Sequence, residues 1–257
     1  MMQDNLDKKR VQYFILSLIA VVCLGCIIIV VVSVSEYVKV KKVNDKINDI
    51  AYSEPNVQSS NVIVHNGYVG EVEAIPDVPS ISETGNISQT GYVSNIPNVD
   101  LPSINFNDLL EINDDLIAWL YIPSIDLSYP IVKSSDNKDY LNINFEGNKS
   151  IAGTLFTDCR CSTPFYQKTI IYGHNMKDGS MFRKLYNLED LIIEEPKVYI
   201  LLPDGKYIEF MVESTQYTVS TDNNTYDINF VDDTDKLILS TCVKNEKRFI
   251  VTCKRSL

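Results

Sequence analysis

Leu237-Ile238-Leu239-Ser240-Thr241-Cys242 is an apolar run ending in a cysteine; the polar stretch Val243-Lys244-Asn245-Glu246 follows it, and a second apolar run opens at Arg248. Short runs of β-branched and aliphatic residues on either side of a polar turn read as strand, turn, strand. Working outward, the same pattern recurs, and strands are predicted over 117–122, 127–132, 153–157, 169–172, 197–202, 207–219, 236–241 and 248–253. Turn chemistry separates them at Pro123-Ser124, Glu146-Gly147-Asn148, Pro203-Asp204-Gly205 and Asp222-Asn223-Asn224. Pro-Asp-Gly between two strands is a hairpin signal. A short helix is expected to carry Phe106, Leu109, Leu110, Ile112 and Leu116, capped by Asn105 or Asn107. A second, over 180–188, puts Met181, Phe182, Leu185 and Leu188 on one face. About eight short strands with a few short helices describe a mainly-β fold, a closed or nearly closed barrel. The regular long crossover helices of a parallel α/β sheet are missing.

Ahead of the folded region, which starts near Ile104, the composition changes. Residues 11–34 are apolar apart from Gln12, Tyr13, Ser17, Gly25 and Ser33. That is about 24 residues, enough for a helix to cross a hydrocarbon core of roughly 30 Å. A cleavable signal peptide has a shorter apolar core, so a retained transmembrane anchor is expected at 13–35, behind an N-terminal tail of 1–12. Lys8, Lys9 and Arg10 precede the span and Lys39, Lys41, Lys42 and Lys46 follow it, so charge alone does not orient it. Residues 36–50 place Val40, Val43, Ile47 and Ile50 at spacings of three and four, an amphipathic helix continuing out of the membrane. From 51 to 102 the chain is rich in Ser, Asn, Val, Pro and Gly, with too little apolar surface to offset the entropy of ordering. It reads as a flexible stalk, with the folded domain assigned to 103–257. Gly67-Tyr68-Val69 recurs inside the stalk as Gly91-Tyr92-Val93, a duplicated linker with too few copies for a solenoid.

A net charge of −11 argues against nucleic acid as a partner, because phosphate binding needs a basic face that displaces counterions. Two of the six cysteines, Cys23 and Cys26, fall in the apolar stretch. The others, Cys159, Cys161, Cys242 and Cys253, have no zinc-type spacing, and only His65 and His174 are available to add imidazole. Cys159 and Cys161 would share a face on a strand and close poorly onto each other, so no structural disulfide is expected. Asp232, Asp233 and Asp235 lack the further ligands calcium wants and read as a solvated loop. No metal or cofactor is expected.

Three residues at predicted strand ends have types that work together. Cys242 is a thiol held by a sheet yet open on one side; a lone cysteine is more often an inert, buried one. His174, in Gly173-His174-Asn175, is the only histidine after residue 65, so imidazole acid–base chemistry in the folded region must use it. The glycine before it lets the chain turn and a substrate approach; the bland alternative is a turn histidine bonded to backbone. Arg248 opens the strand after Cys242, and its guanidinium there can donate two hydrogen bonds to a carbonyl or oxyanion and favour a thiolate. Most arginines are surface residues, so each signal alone is weak. Together they supply a nucleophile, a proton shuttle and an oxyanion donor.

From Phe106 onward the chain resembles the sortases, class B in particular. The resemblance is carried by Asn113-Asp114-Asp115-Leu116-Ile117-Ala118-Trp119-Leu120-Tyr121-Ile122-Pro123, Tyr129-Pro130-Ile131-Val132 and Ala152-Gly153-Thr154-Leu155-Phe156-Thr157-Asp158. Tyr172-Gly173-His174-Asn175-Met176 and Leu239-Ser240-Thr241-Cys242, with Arg248 behind, match the family's catalytic motifs. The resemblance implies an eight-stranded sortase-type barrel and a thiol transpeptidase. Cys242 would attack a sorting-motif carbonyl, His174 would move the protons, Arg248 would hold the oxyanion, and Ser240 and Thr241 would line the substrate groove. It also implies secreted proteins bearing a sorting signal as substrates, a cell-wall precursor or pilin amine as acceptor, and a single-pass enzyme on the outer face of a Gram-positive membrane. Two features depart from the class. The segment 217–235 is short and polar where class B members carry a substantial helix, and Cys159 and Cys161 follow Asp158. The alternatives are a membrane-tethered cysteine hydrolase, whose common cell-wall members place Cys before His, and a non-catalytic scaffold with the same fold.

Overall fold

The computed structural model describes residues 2–54, 101–161, 164–219, 235–243 and 247–256. Eight strands close into one barrel: β1 (Leu116–Ile122), β2 (Leu127–Lys133), β3 (Leu155–Thr157), β4 (Thr169–Gly173), β5 (Lys197–Leu201), β6 (Tyr207–Val219), β7 (Lys236–Cys242) and β8 (Lys247–Arg255). Around the barrel the order is β1-β2-β3-β4-β7-β8-β6-β5, with β5 pairing back to β1. All eight match the strands expected from the sequence, with ends shifted by at most 2 residues.

Two of the pairings are parallel, β2 with β3 and β4 with β7. Their crossovers are made without long helices. The β4-to-β7 connection runs through β5 and β6 themselves, which is why the sequence shows no crossover helix. Strand alternation then sorts the side chains. Ile171 of β4, Leu237 and Leu239 of β7, and Phe249, Val251 and Cys253 of β8 all point into the main core. Ile170, Ile238 and Ile250 point the other way and form a small apolar cluster with Tyr172.

Helix α2 (Phe106–Ile112) opens at Asn105, whose side-chain oxygen accepts from the Asp108 N–H at 3.3 Å, and it buries Phe106 and Leu109. The second expected helix is a 3₁₀ stretch, Phe182–Leu188, burying Phe182, Leu185 and Leu188. Spacing of three along that face suits a 3₁₀ helix, in which residues i and i+3 eclipse.

Helix α1 (Met2–Ala51) is continuous over 50 residues. Its apolar side chains from Tyr13 to Val34 are exposed, and this part is long and apolar enough to cross a membrane. Beyond them the helix docks: Val40, Ile47 and Ala51 are buried, and Tyr37 packs on the barrel core. The Tyr52 ring stands edge-on to Trp119 at 6.3 Å between centroids, and its hydroxyl bonds to Ser128 at 2.5 Å. The Asn105 N–H donates to the Ala51 carbonyl at 2.8 Å, and its side-chain amide donates to the Ser53 hydroxyl at 3.2 Å. The compact unit therefore takes in the helix as far as Glu54 and resumes at Ser103, whereas the composition places the start of a stalk at 51. Ala51 and Tyr52 find partners that only the folded barrel supplies. The rest of the expected stalk with its repeat, the Asp222-Asn223-Asn224 turn, and Asp232 and Asp233 lie outside the described residues.

Gly173 ends β4 for a packing reason. A Cβ there would collide with Leu155 and lie 2.6 Å from the Phe182 ring, far inside van der Waals contact. The glycine thus lets β4 close against β3 and the 3₁₀ stretch. Gly173→Ala is expected to destabilise the barrel by about 1–3 kcal/mol through overpacking. Urea denaturation of the two proteins side by side checks this, and an unchanged midpoint would show that the neighbours give way freely.

Candidate active site

The ends of β4, β7 and β8 build the site. Parallel register sets Gly173 beside Thr241, so the next residues, His174 and Cys242, are neighbours across the pair. Antiparallel register sets Cys242 opposite Arg248. By alternation Cys242 and Arg248 share the face of Ile238 and Ile250, away from the barrel core. The Arg248 Nη1 donates to the Cys242 sulfur, which places a permanent cation against the thiol. Cys242 is partly exposed.

His174 is held from a different direction. Its Nε2–H donates to the Leu141 carbonyl at 2.7 Å, which fixes the tautomer and leaves Nδ1 as the nitrogen that can exchange a proton. That carbonyl is well anchored. The Tyr140 hydroxyl donates to Asp115 at 2.6 Å, and burial together with this bond pushes its pKa up to about 12. The Tyr140 carbonyl accepts from the Thr154 N–H at 3.0 Å.

Ser240 and Thr241 are both buried. The Thr241 hydroxyl donates to the Gly173 carbonyl at 2.8 Å, so it ties the two parallel strand ends together. Asn175 does related work that its sequence position alone did not signal. Its side-chain amide donates to the Cys242 carbonyl at 2.9 Å and to the Tyr186 hydroxyl at 3.1 Å. Tyr186 stacks on Phe249 at 4.5 Å and carries the Arg183 guanidinium over its ring at 5.0 Å. The clue available beforehand was an amide directly after the strand-end histidine.

All six cysteines are free thiols. Burial pushes the thiol pKa up for both Cys161, in the β3–β4 loop, and Cys253, in the barrel core, which keeps them protonated. Cys161 is surrounded by Thr169, 3.7 Å from its sulfur, and by the Gln167 amide at 3.4 Å. Among the described residues no cluster of side chains has the composition of a metal site.

Beneath the site Asp158 is wholly buried and fully engaged. Arg160 grips it through Nε and Nη2, each at 2.8 Å, and the Tyr172 hydroxyl donates to it at 2.7 Å. Burial alone would raise this carboxyl's pKa, but the Arg160 and Tyr172 hydrogen bonds outweigh it and hold the group at about 2. Tyr172 pairs in register with Ser240, so this cluster braces the β4–β7 seam two residues before the catalytic candidates.

With this geometry in hand, the chain can be set beside known proteins. It matches the Sortase domain family over residues 120–256, more than half its length. The chain belongs to the sortase family. Within that family its likeness is to class B. It is 46% identical to sortase B of Listeria monocytogenes over 92 residues, 35% of this chain and 37% of that protein. It is 31% identical to Staphylococcus aureus sortase B over 133 residues, 51% of this chain and 54% of that one. The matches thus span about a third to a half of these curated relatives. A mutant form of Clostridium perfringens sortase B superposes with a TM-score of 0.54 over 60% of this chain and 87% of that one, at 22% identity, which speaks for a shared fold. Of the segment 217–235, residues 217–219 end β6 and 220–234 lie outside the described residues.

The Asp158 carboxylate is ionised in the fold at pH values where an unfolded aspartate, with a pKa of about 3.9, has taken up a proton. Its contribution is fully present above that value and is lost as the pH falls from there towards about 2. Asp158→Asn should lower the thermal midpoint at neutral pH and flatten its fall between those limits. A pH series of melting curves that runs parallel for the two proteins would remove Asp158 from the account of acid stability.

Proposed function

We propose that this protein is a cysteine transpeptidase that cleaves the sorting motif of secreted proteins and transfers them to an amine. The observation that carries this reading is the register of β4, β7 and β8, which makes Cys242 a neighbour of both His174 and Arg248. Cys242 Sγ attacks the backbone carbonyl of the motif, and a C–S bond forms as the carbonyl becomes an oxyanion. Arg248 donates to that oxyanion. The C–N bond then breaks, and His174 supplies the proton with which the amine leaves, giving a thioester. An incoming amine attacks the thioester, loses its proton to His174 and expels the thiolate, so the enzyme is regenerated with an amide bond formed.

Ser240 and Thr241 are assigned a positioning role beneath the groove, consistent with their burial and with the Thr241 bond to Gly173. The acceptor is a cell-wall precursor or pilin amine. Residues 13–35 anchor the enzyme in the cell membrane as a single pass, with 1–12 in the cytoplasm and the catalytic domain outside. Sequence likeness to sortase B proteins supports this reading.

Intact-mass spectrometry of the protein with a panel of sorting peptides tests it. Wild type should show a thioacyl adduct that an added amine converts to an amide product, and Cys242→Ala should show none. Arg248→Ala is expected to slow acylation by about 10²-fold or more. His174→Ala should abolish turnover with folding unchanged by circular dichroism. Adduct formation in Cys242→Ala would overturn the nucleophile assignment, and release of free acid despite excess amine would make the enzyme a hydrolase.

A further inference from the structure

The part of the barrel that holds His174 borders the end of α1 nearest its apolar span, and we propose that this rim, 138–151 with 177–180, rests in the phospholipid headgroup layer. The proposal rests on residues 13–35 crossing a membrane. Helix α1 runs without a break from that span into its docking site. Tyr37, which packs on the barrel core, lies two positions past the end of the span, about 3 Å of helical rise. Val40, Ile47 and Ala51 are then buried over the next turns, so the helix is fastened to the barrel along its length.

The chain that leaves at Ser53 returns at Asn105, where the side-chain amide of Asn105 meets the Ser53 hydroxyl at 3.2 Å. Whatever lies between therefore leaves and re-enters the fold at one place. Its length does not set the distance between barrel and bilayer, as a stalk placed in series would.

The helix turn at the end of the span identifies the rim. Val34 and Val38 share a surface cleft with Lys177, Asp178 and Gly179. Glu36 shares another with Lys138, Lys149 and Ile151. Both segments reach into the candidate active site: Lys177 is three residues after His174, and Leu141, between Lys138 and Lys149, supplies the carbonyl that holds the imidazole.

The chemistry of the rim suits a headgroup layer. Lys138, Lys149 and Lys177 are exposed in a chain of net charge −11, and Ile151 is an exposed apolar side chain among them. Lysine stems lie along an apolar boundary while their ammonium groups reach phosphate oxygens. Of the acids on this rim, Glu146 is paired with Lys46, Asp178 accepts from the Ser180 N–H and hydroxyl at 3.0 and 2.7 Å, and Asp139 is exposed; Glu36 on the adjoining helix is paired with Lys39 at 2.7 Å. A substrate then reaches the site at the bilayer surface.

Site-specific photocrosslinking of the full chain in vesicles of phosphatidylglycerol and phosphatidylcholine tests this. p-Benzoylphenylalanine is placed singly at Val30 in the span, at Ile151 on the rim, or at Lys206. Lys206 follows the β5–β6 turn, at the barrel end remote from Ser128 and His174. Lipid adducts detected by mass are expected at Val30 and Ile151 and not at Lys206. Combined Lys138→Glu, Lys149→Glu and Lys177→Glu should reduce the Ile151 adduct several-fold and leave that at Val30 unchanged. An adduct at Val30 with none at Ile151 overturns the proposal and keeps the span. No adduct at Val30 overturns the span itself, and the proposal with it. Equal adducts at Ile151 and Lys206 mean loose collision rather than a seated rim, and overturn it as well.

Discussion

The parallel pairing of β4 with β7 is the constraint on which the rest of this structure depends. Neither strand carries more than one of the chemically useful residues. Their register, extended through the antiparallel β7–β8 pair, brings a histidine, a cysteine and an arginine into one row of adjacent strand ends. A slip by one residue would turn Cys242 into the core and present Thr241 in its place, because side chains alternate with a period of two. The contacts at the seam resist that slip. Gly173 admits Leu155 and Phe182, Thr241 donates across to the Gly173 carbonyl, and Asn175 ties the Cys242 carbonyl to the following loop.

The same seam sets two thiols in opposite surroundings. Cys253 and Cys242 lie on neighbouring strands, yet alternation points Cys253 into the apolar core and Cys242 to the outer face beside a guanidinium. Burial keeps one protonated, while the other is partly exposed with a guanidinium beside it, the setting that the proposed nucleophile needs. The imidazole is oriented through a longer chain of contacts, from the buried Tyr140 hydroxyl on Asp115 through the adjoining Leu141 carbonyl. Substitutions in that chain would act on the site without touching a substrate.

Docking of α1 gives the barrel a fixed relation to its apolar helix. A long polar segment after an apolar span suggests a tether, and composition is a sound guide to whether such a segment can pack on its own. It says nothing about where the two ends of the segment meet. Here they meet at Ser53 and Asn105, and the amphipathic stripe of 36–50 is spent on the barrel wall.

Much of this was legible in the chain itself, because local rules carried it. Period-two apolar runs and turn residues located all eight strands, the apolar run of 11–34 located the long exposed part of α1, and strand-end placement singled out Cys242, His174 and Arg248. What local rules do not reach is which strands pair, and in which sense. The parallel β2–β3 and β4–β7 pairs join segments far apart in the chain, and no short-range signal records them. For the same reason the burial of Ser240 and Thr241, the bracing of β4 by Asp158, the role of Asn175 and the docking of α1 were decided by tertiary structure alone. Each depends on a partner distant in sequence, and a residue's own neighbours along the chain do not tell it which face of another element it will meet.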